Sequence, residues 1–122
     1  MGRLLPTPIA AVALLLLTAC SGRSAEDAGL AAKIERTFAL AHPDVPLDQT
    51  ARFYVRQPDS TVRGVYYVPD DSGETLAGRP GTVVWTTSDS LPDVSDGGCF
   101  VINVIFDVRA DRLREVACYG PG

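Results

Sequence analysis

The chain has 122 residues, of which 46% are hydrophobic and 21% are charged, and its formal net charge at pH 7 is −4. This length is enough for one domain with its own core, but not for two. Because nucleic-acid binding requires clustered Lys and Arg to neutralise phosphates, the acidic balance argues against a nucleic-acid partner.

Residues 1–19 have the order typical of a secretory signal peptide: a basic residue, Arg3, then an apolar run, Ile9–Leu17, then small residues. The run is shorter than the roughly 20 residues of a membrane-spanning helix. The sequence Leu17-Thr18-Ala19-Cys20 resembles a bacterial lipobox. The resemblance implies cleavage before Cys20, a diacylglycerol on its thiol and attachment to a membrane. An ordinary signal peptide with a coincidental Cys is the alternative.

The expected organisation is therefore a signal peptide over 1–19, a lipidated tether over 20–24 and one periplasmic domain over 25–122. In enterobacterial lipoproteins an Asp after the lipidated Cys favours retention at the inner membrane. By resemblance, Ser21 favours the outer membrane, with the domain facing the periplasm. Cleavage would remove Arg3 and no acidic residue, so the mature protein would be more acidic. An acidic protein is not attracted electrostatically to the membrane, so the lipid alone is expected to hold it there.

The first predicted element of the domain is a helix over Ala25–Ala41, with Ser24 at its N-cap. His42-Pro43 ends it, because the residue before proline avoids the helical region. Its predicted apolar stripe consists of Leu30, Ile34 and Phe38, with Ala31 and Ala41 beside them. Three charged residues are expected to face water: Lys33, Glu35 and Arg36. Packing on a sheet is favoured over lying on the membrane, since interfacial helices usually have a basic polar face.

After the helix the pattern changes to alternation, which is typical of strands. Five strands are expected: Ala51–Arg56, Thr61–Val68, Thr82–Thr87, Cys99–Phe106 and Arg112–Tyr119. The first two form a hairpin, and the fourth is apolar enough to be central. Every connection except the first joins strand to strand, so the predicted fold is α+β, one helix on an antiparallel sheet. The long polar connection Pro69–Gly81 is expected to be mobile or functional, and Ser88–Gly98 is expected to be a second polar loop.

Two cysteines remain if Cys20 carries lipid, and an oxidising compartment favours a disulfide between Cys99 and Cys118 over two free thiols. If the last two strands pair in the register that places Cys99 opposite Cys118, the two thiols lie within reach of each other. A bulge would change that register. The bridge would close a loop of about 20 residues and contribute roughly 3 kcal/mol of stability.

The order of helix and sheet, with the closing hairpin Phe106-Asp107 to Arg112-Leu113, resembles small outer-membrane lipoproteins that assist the β-barrel assembly machinery. That family has two helices before a three-stranded sheet and a Gly-Met-Thr segment, and this sequence has neither. The resemblance implies an accessory role in the envelope and identifies no functional residue.

No catalytic constellation, metal site or cofactor motif is recognised in the sequence. His42, the only histidine, lacks a partner at a recognisable spacing, so a capping or exposed role is expected. The segment Asp70–Glu74 has oxygen ligands that calcium prefers, but it lacks the spacing of an EF-hand loop. A solvated acidic loop is the favoured interpretation.

One surface feature indicates binding. Alternation places Arg52, Tyr54 and Arg56 on one face of the first strand, and Arg63, Val65 and Tyr67 on one face of the second. Together they would form an Arg/Tyr patch, a composition favoured at binding hot spots, for an anionic partner. The alternative is that the rings and arginine stems cover a sheet face and pair with acids.

The sequence thus predicts a non-catalytic, membrane-anchored envelope lipoprotein that binds a periplasmic or outer-membrane protein. The alternative is an immunity or inhibitor lipoprotein that blocks a periplasmic enzyme such as a cell-wall hydrolase, with either long connection inserted into the active site.

Overall fold

The computed structural model describes residues 9–94 and 97–119, with side chains from Ser24 onward except that of Tyr119. Its elements are helix α1 (Ile9–Ala41) and strands β1 (Ala51–Arg56), β2 (Thr61–Tyr67), β3 (Val83–Thr86), β4 (Gly98–Asp107) and β5 (Arg112–Tyr119). Two short 3-10 turns, Leu47–Gln49 and Ser88–Ser90, lie in the connections. Within the described residues, no helix combines the length and apolarity needed to cross a membrane.

Helix α1 begins much earlier than the sequence predicted. It starts at Ile9 and includes Ser24, so Ser24 is not the N-cap of a separate helix, and residues 21–24 are helical. The run from Ile9 to Leu17 consists mainly of Ala and Leu, which favour helix, and no proline separates it from the predicted helix. The chain divides into two compact units, 1–30 and 31–122. The description below concerns the second unit.

The sheet has the order β3-β1-β2-β4-β5 and is mixed. One helix on five strands is confirmed, but the antiparallel prediction is wrong at β3, which runs parallel to β1. The hairpin places β1 on one side of β2, and β4 occupies the other side. β3 lies at the outer edge of β1 and runs parallel to it, so it has the direction opposite to that of β2.

One face of the sheet packs against the helix. Ala31, Ile34 and Phe38 are buried on α1, and the Phe38 ring meets the ring of Tyr66 edge-on at 5.0 Å. Buried residues from the three central strands complete this core: Tyr54, Val62, Tyr66, Ile102, Val104 and Phe106. The helix ends as predicted at Ala41, where the amide of His42 still donates to the carbonyl of Phe38.

The opposite face has a smaller core, covered by the two long connections. Its buried residues are Ala51, Val65, Tyr67 and Val101. Half-buried residues pack over them, among them Ala77 from the first connection and Leu91 and Val94 from the second. The second connection must cross this face because β3 ends beside Val55, whereas β4 begins near Tyr67, at the other end of the sheet. Both connections are therefore packed parts of the fold.

The predicted disulfide joins Cys99 and Cys118, whose Cα atoms lie 4.6 Å apart. Gly98 pairs with Tyr119, the register that would place the cysteines opposite each other, but Cys118 itself pairs with Ile102. A register shift between these pairs is the bulge that the sequence left open. Both cysteines are exposed to solvent.

Candidate functional site

The residues predicted to form one Arg/Tyr patch are divided between the two faces of the sheet. In the β1–β2 hairpin Arg52 pairs with Tyr66, and Arg63 pairs with Val55. Because directly paired residues point to the same side, Arg52, Tyr54 and Arg56 lie on the helix face, while Arg63 and Tyr67 lie on the other. A single patch is therefore wrong. The alternation within each strand was right, but the register between them separates the two groups.

On the helix face, Arg52 is buried in an ion pair with Glu35. The Arg52 Nη1 lies 2.6 Å from the Glu35 Oε1, and only 10% and 17% of the two side chains are exposed. Two further N–H groups donate to backbone carbonyls, Nε to that of Thr50 and Nη2 to that of Gly81, each at 3.2 Å. Arg52 thus links the helix to β1 and to Gly81, two residues before β3, and its charge is paired within the fold.

Two tyrosines extend this network. The Tyr54 hydroxyl donates to the Glu35 Oε2 at 2.7 Å, so the Tyr66 hydroxyl, 2.8 Å from that of Tyr54, must donate to it. Both rings are buried, and burial is the main reason that the pKa of each phenol is raised above its ordinary value. For Tyr54, the charges of Tyr66 and Glu35 raise the pKa further.

Glu35 is the residue that sequence reasoning misplaced, since it was expected to face water. Its position follows three residues before Phe38 and four after Ala31, so it shares the buried side of α1. The spacing of these residues therefore predicts a buried stripe that consists of Ala31, Ile34, Glu35 and Phe38. It was overlooked because a charged residue was assumed to be exposed.

Arg56 is the exposed member of the helix-face group. Its guanidinium carbon lies 5.1 Å from the centre of the Trp85 ring, a cation–π arrangement at the edge of the sheet. The Trp85 ring in turn lies 5.2 Å from that of Tyr54, so it covers the end of the buried network. Apart from the exposed Arg56, the residues of this cluster therefore have little accessible surface.

The opposite face contains a pocket of about 260 Å³ between the sheet and the second connection. Its floor is formed by Val65, Tyr67 and Val101, which are buried, together with half-buried Arg63. The wall consists of residues from the connection: Ser88, Leu91, Pro92, Asp93 and Val94. The Tyr67 hydroxyl reaches the carbonyl of Pro92 at 3.3 Å and so helps to hold this wall.

Arg63 is held in the pocket by a neutral partner. Its Nε and Nη2 atoms both donate to the Asn103 Oδ1, at 3.1 and 2.9 Å. No carboxylate among residues 9–94 and 97–119 forms an ion pair with it. The pocket was not visible in the sequence, because it depends on a connection that folds back over the sheet. Asn103 was the only available signal, a polar residue in an otherwise apolar strand.

The acidic segment is a local turn. The Asp70 Oδ1 accepts hydrogen bonds from the amide and hydroxyl of Ser72 and from the amide of Glu74. These bonds, led by the one from the Ser72 hydroxyl, lower the pKa of Asp70. In the described part of the chain, no three His, Cys, Asp or Glu residues are grouped to hold a metal ion. His42 stacks on Phe38 with ring centres 4.8 Å apart.

Of the predicted covalent features, the disulfide between Cys99 and Cys118 is confirmed. Cys20 lies within α1, but its side chain is outside the described part of the structure, as are residues 1–8 of the predicted signal peptide. Lipidation at Cys20 stays a prediction. In three comparisons with known proteins, no family model, no curated protein and no solved structure matches this chain.

Proposed function

We propose that this chain is a lipid-anchored, non-catalytic envelope protein that binds a protein partner through the sheet face opposite the helix. The observation that carries the proposal is the bond between Cys99 and Cys118. Disulfides persist in oxidising compartments outside the cytoplasm. With these two cysteines paired, Cys20 is the only other cysteine, and it directly follows Leu17-Thr18-Ala19.

The choice of face follows from which arginine is accessible. Arg52 and Tyr54 are engaged with Glu35 beneath the helix, which leaves little of either for a partner. Arg63 lies in a pocket bordered by the exposed residues Ser88 and Asp93. A charged anchor in a concave site is a common feature of binding surfaces. The face carrying Arg63 is therefore the better candidate.

The anchor is tested by mass spectrometry of the protein purified from bacterial membranes. The expected product begins at Cys20 and carries a thioether-linked diacylglycerol, and Cys20→Ser should accumulate uncleaved. A free thiol at Cys20, or a mature N-terminus elsewhere, would refute the anchor.

The partner is tested by placing a photo-crosslinking amino acid in the full chain in intact cells, at Asp93 or at Arg36. Both positions are exposed, but Asp93 borders the pocket and Arg36 lies on the helix. We expect a discrete adduct from position 93 that Arg63→Glu abolishes and Arg114→Glu, on exposed β5, preserves. Equal adducts from both positions, or none from position 93, would contradict the proposed face.

A further inference from the structure

In the pocket on the sheet face opposite the helix, Arg63 forms no ion pair with any carboxylate of the described residues, although the exposed Asp93 also lines the pocket. Arg63 is half-buried, and its side chain donates two hydrogen bonds to described residues, both to the neutral oxygen of Asn103. A partly desolvated guanidinium is stabilised by an anion, and in this protein the other interior arginine, Arg52, has one in Glu35. Arg63 therefore differs from Arg52 in that no carboxylate among the described residues forms an ion pair with it.

The geometry of the Asn103 contact determines which part of the guanidinium remains open. The Nε and Nη2 atoms, which form one side of the planar group, converge on a single oxygen. The end formed by Nη1 and the second hydrogen of Nη2 makes no hydrogen bond to any residue in 9–94 or 97–119. Two parallel N–H groups at that spacing match the two oxygens of a carboxylate.

Most of the accessible lining of the pocket is polar, but four aliphatic side chains also line it: Val65, Leu91, Val94 and Val101. These side chains would contact an aliphatic part of a ligand. The volume of about 260 Å³ lies below the roughly 300–1,000 Å³ of pockets for drug-sized ligands, which restricts the ligand to a small group. The Asp93 carboxylate also lines the pocket, but it is exposed, and solvent screens its repulsion of an anion.

We propose that this pocket binds a carboxylate at the end of a small aliphatic group, with the carboxylate on the open end of the Arg63 guanidinium. Leu91 and Val94 would contact the aliphatic part. This ligand chemistry has two sources, the C-terminal residue of a peptide chain and a free short-chain acid. The inference deepens the proposed function, since it names the group that a partner would present to this face.

The test uses the full chain, purified in a non-ionic detergent and labelled for NMR. The probes are isovalerate and N-acetyl-Gly-Gly-Val, each with its neutral amide, isovaleramide and N-acetyl-Gly-Gly-valinamide. Each carboxylate should shift the Arg63 Nε–H signal and the Val65 and Val101 methyl signals, and each amide should bind at least tenfold more weakly. Tighter binding of the peptide identifies a chain terminus as the source, and tighter binding of isovalerate identifies a free acid.

Arg63→Gln should abolish the carboxylate-dependent shifts, whereas Arg114→Gln on β5 should leave them unchanged. The comparison of acid and amide on the unaltered protein keeps the test valid if Arg63→Gln disturbs the fold. Equal binding of acids and amides, or no shift at 50 mM isovalerate and peptide, would overturn the proposal. A crosslinked partner without carboxylate binding would refute this inference alone, while carboxylate binding without a partner would refute only the proposed function.

Discussion

The Glu35 carboxylate and the Arg52 guanidinium lie 2.6 Å apart and join α1 to β1 beneath the helix. Each partner is mostly withdrawn from water, and Tyr54 donates to the second carboxylate oxygen. Removing one partner of such a pair leaves the other charge buried and uncompensated, which costs more than the pair itself contributes.

Glu35→Gln should therefore lower the free energy of unfolding by about 3 kcal/mol. The matched control is Lys33→Gln, which removes an ion pair with Asp111 whose side chains are 46% and 61% exposed. That change should cost less than about 1 kcal/mol. Urea denaturation of both variants measures the difference, and equal losses would contradict the structural role of Glu35.

The two buried tyrosines make stability sensitive to alkaline pH. In the unfolded chain their phenols ionise near pH 10, but in the folded protein burial raises the pKa of both. Above about pH 10 the unfolded state thus binds fewer protons than the folded state, so the free energy of unfolding should fall as pH rises. Below pH 10 both states are protonated, and these groups contribute no pH dependence.

Denaturation at successive pH values from 8 to 11 measures this slope. Tyr66→Phe removes one of the two phenols and should reduce the slope above pH 10. A slope that is the same in Tyr66→Phe as in the unaltered protein would show that the fall in stability arises elsewhere.

Gly78 lets the first long connection pack against the sheet face opposite the helix. Its φ is +75°, and a Cβ at this position would lie 2.7 Å from the Phe53 ring and 2.8 Å from the Ala51 Cβ. Gly78→Ala should combine the roughly 1–2 kcal/mol cost of the left-handed backbone with an overpacking cost of about 1–3 kcal/mol.

Gly73→Ala is its control. Gly73 has a similar φ of +86°, but a Cβ there has no neighbour within 4 Å. Gly73→Ala should therefore lower the free energy of unfolding only by the cost of the left-handed backbone, about 1–2 kcal/mol. If thermal or urea unfolding shows the two variants to be equally destabilised, the connection does not pack on Phe53 as described.

The disulfide should account for a sizeable part of the stability. It joins residues separated by 19 positions, and the chain-entropy model values such a loop at about 3 kcal/mol. Because both cysteines are exposed, dithiothreitol should reduce the bond without prior unfolding. Unfolding in urea with and without the reductant measures the loss. Cys99→Ser combined with Cys118→Ser should match the reduced protein and no longer respond to dithiothreitol.

The sequence predicted those elements whose evidence is local. The bounds of β1 and β5 were predicted as found, and the cysteine count identified the disulfide. The position of β3 depended instead on which sheet edge was still free, a property of the assembled strands. The path of the second connection over the sheet depended in turn on that position.

The Arg/Tyr patch was mispredicted for a related reason. A shift of one residue in the pairing of β1 with β2 would have placed Arg52 and Arg63 on the same face. The turn over Gln57–Ser60 determines that shift, and Ser60 at its end has a positive φ of 66°. The sequence indicated a turn, but it did not indicate that Ser60, which is not a glycine, adopts a positive φ. The register of the hairpin depends on the conformation of the turn.

The two outer strands of the sheet differ in how open they are to pairing with another chain. β3 presents only four residues, so the exposed Val83 and Val84 can offer a second molecule few backbone groups. β5 is twice as long, but its pairing with β4 is interrupted by two irregularities, and charged Arg112, Arg114 and Glu115 are exposed along it. β3 is short, and β5 is charged and irregular. Both properties limit the pairing of further strands at the sheet edges and so limit aggregation.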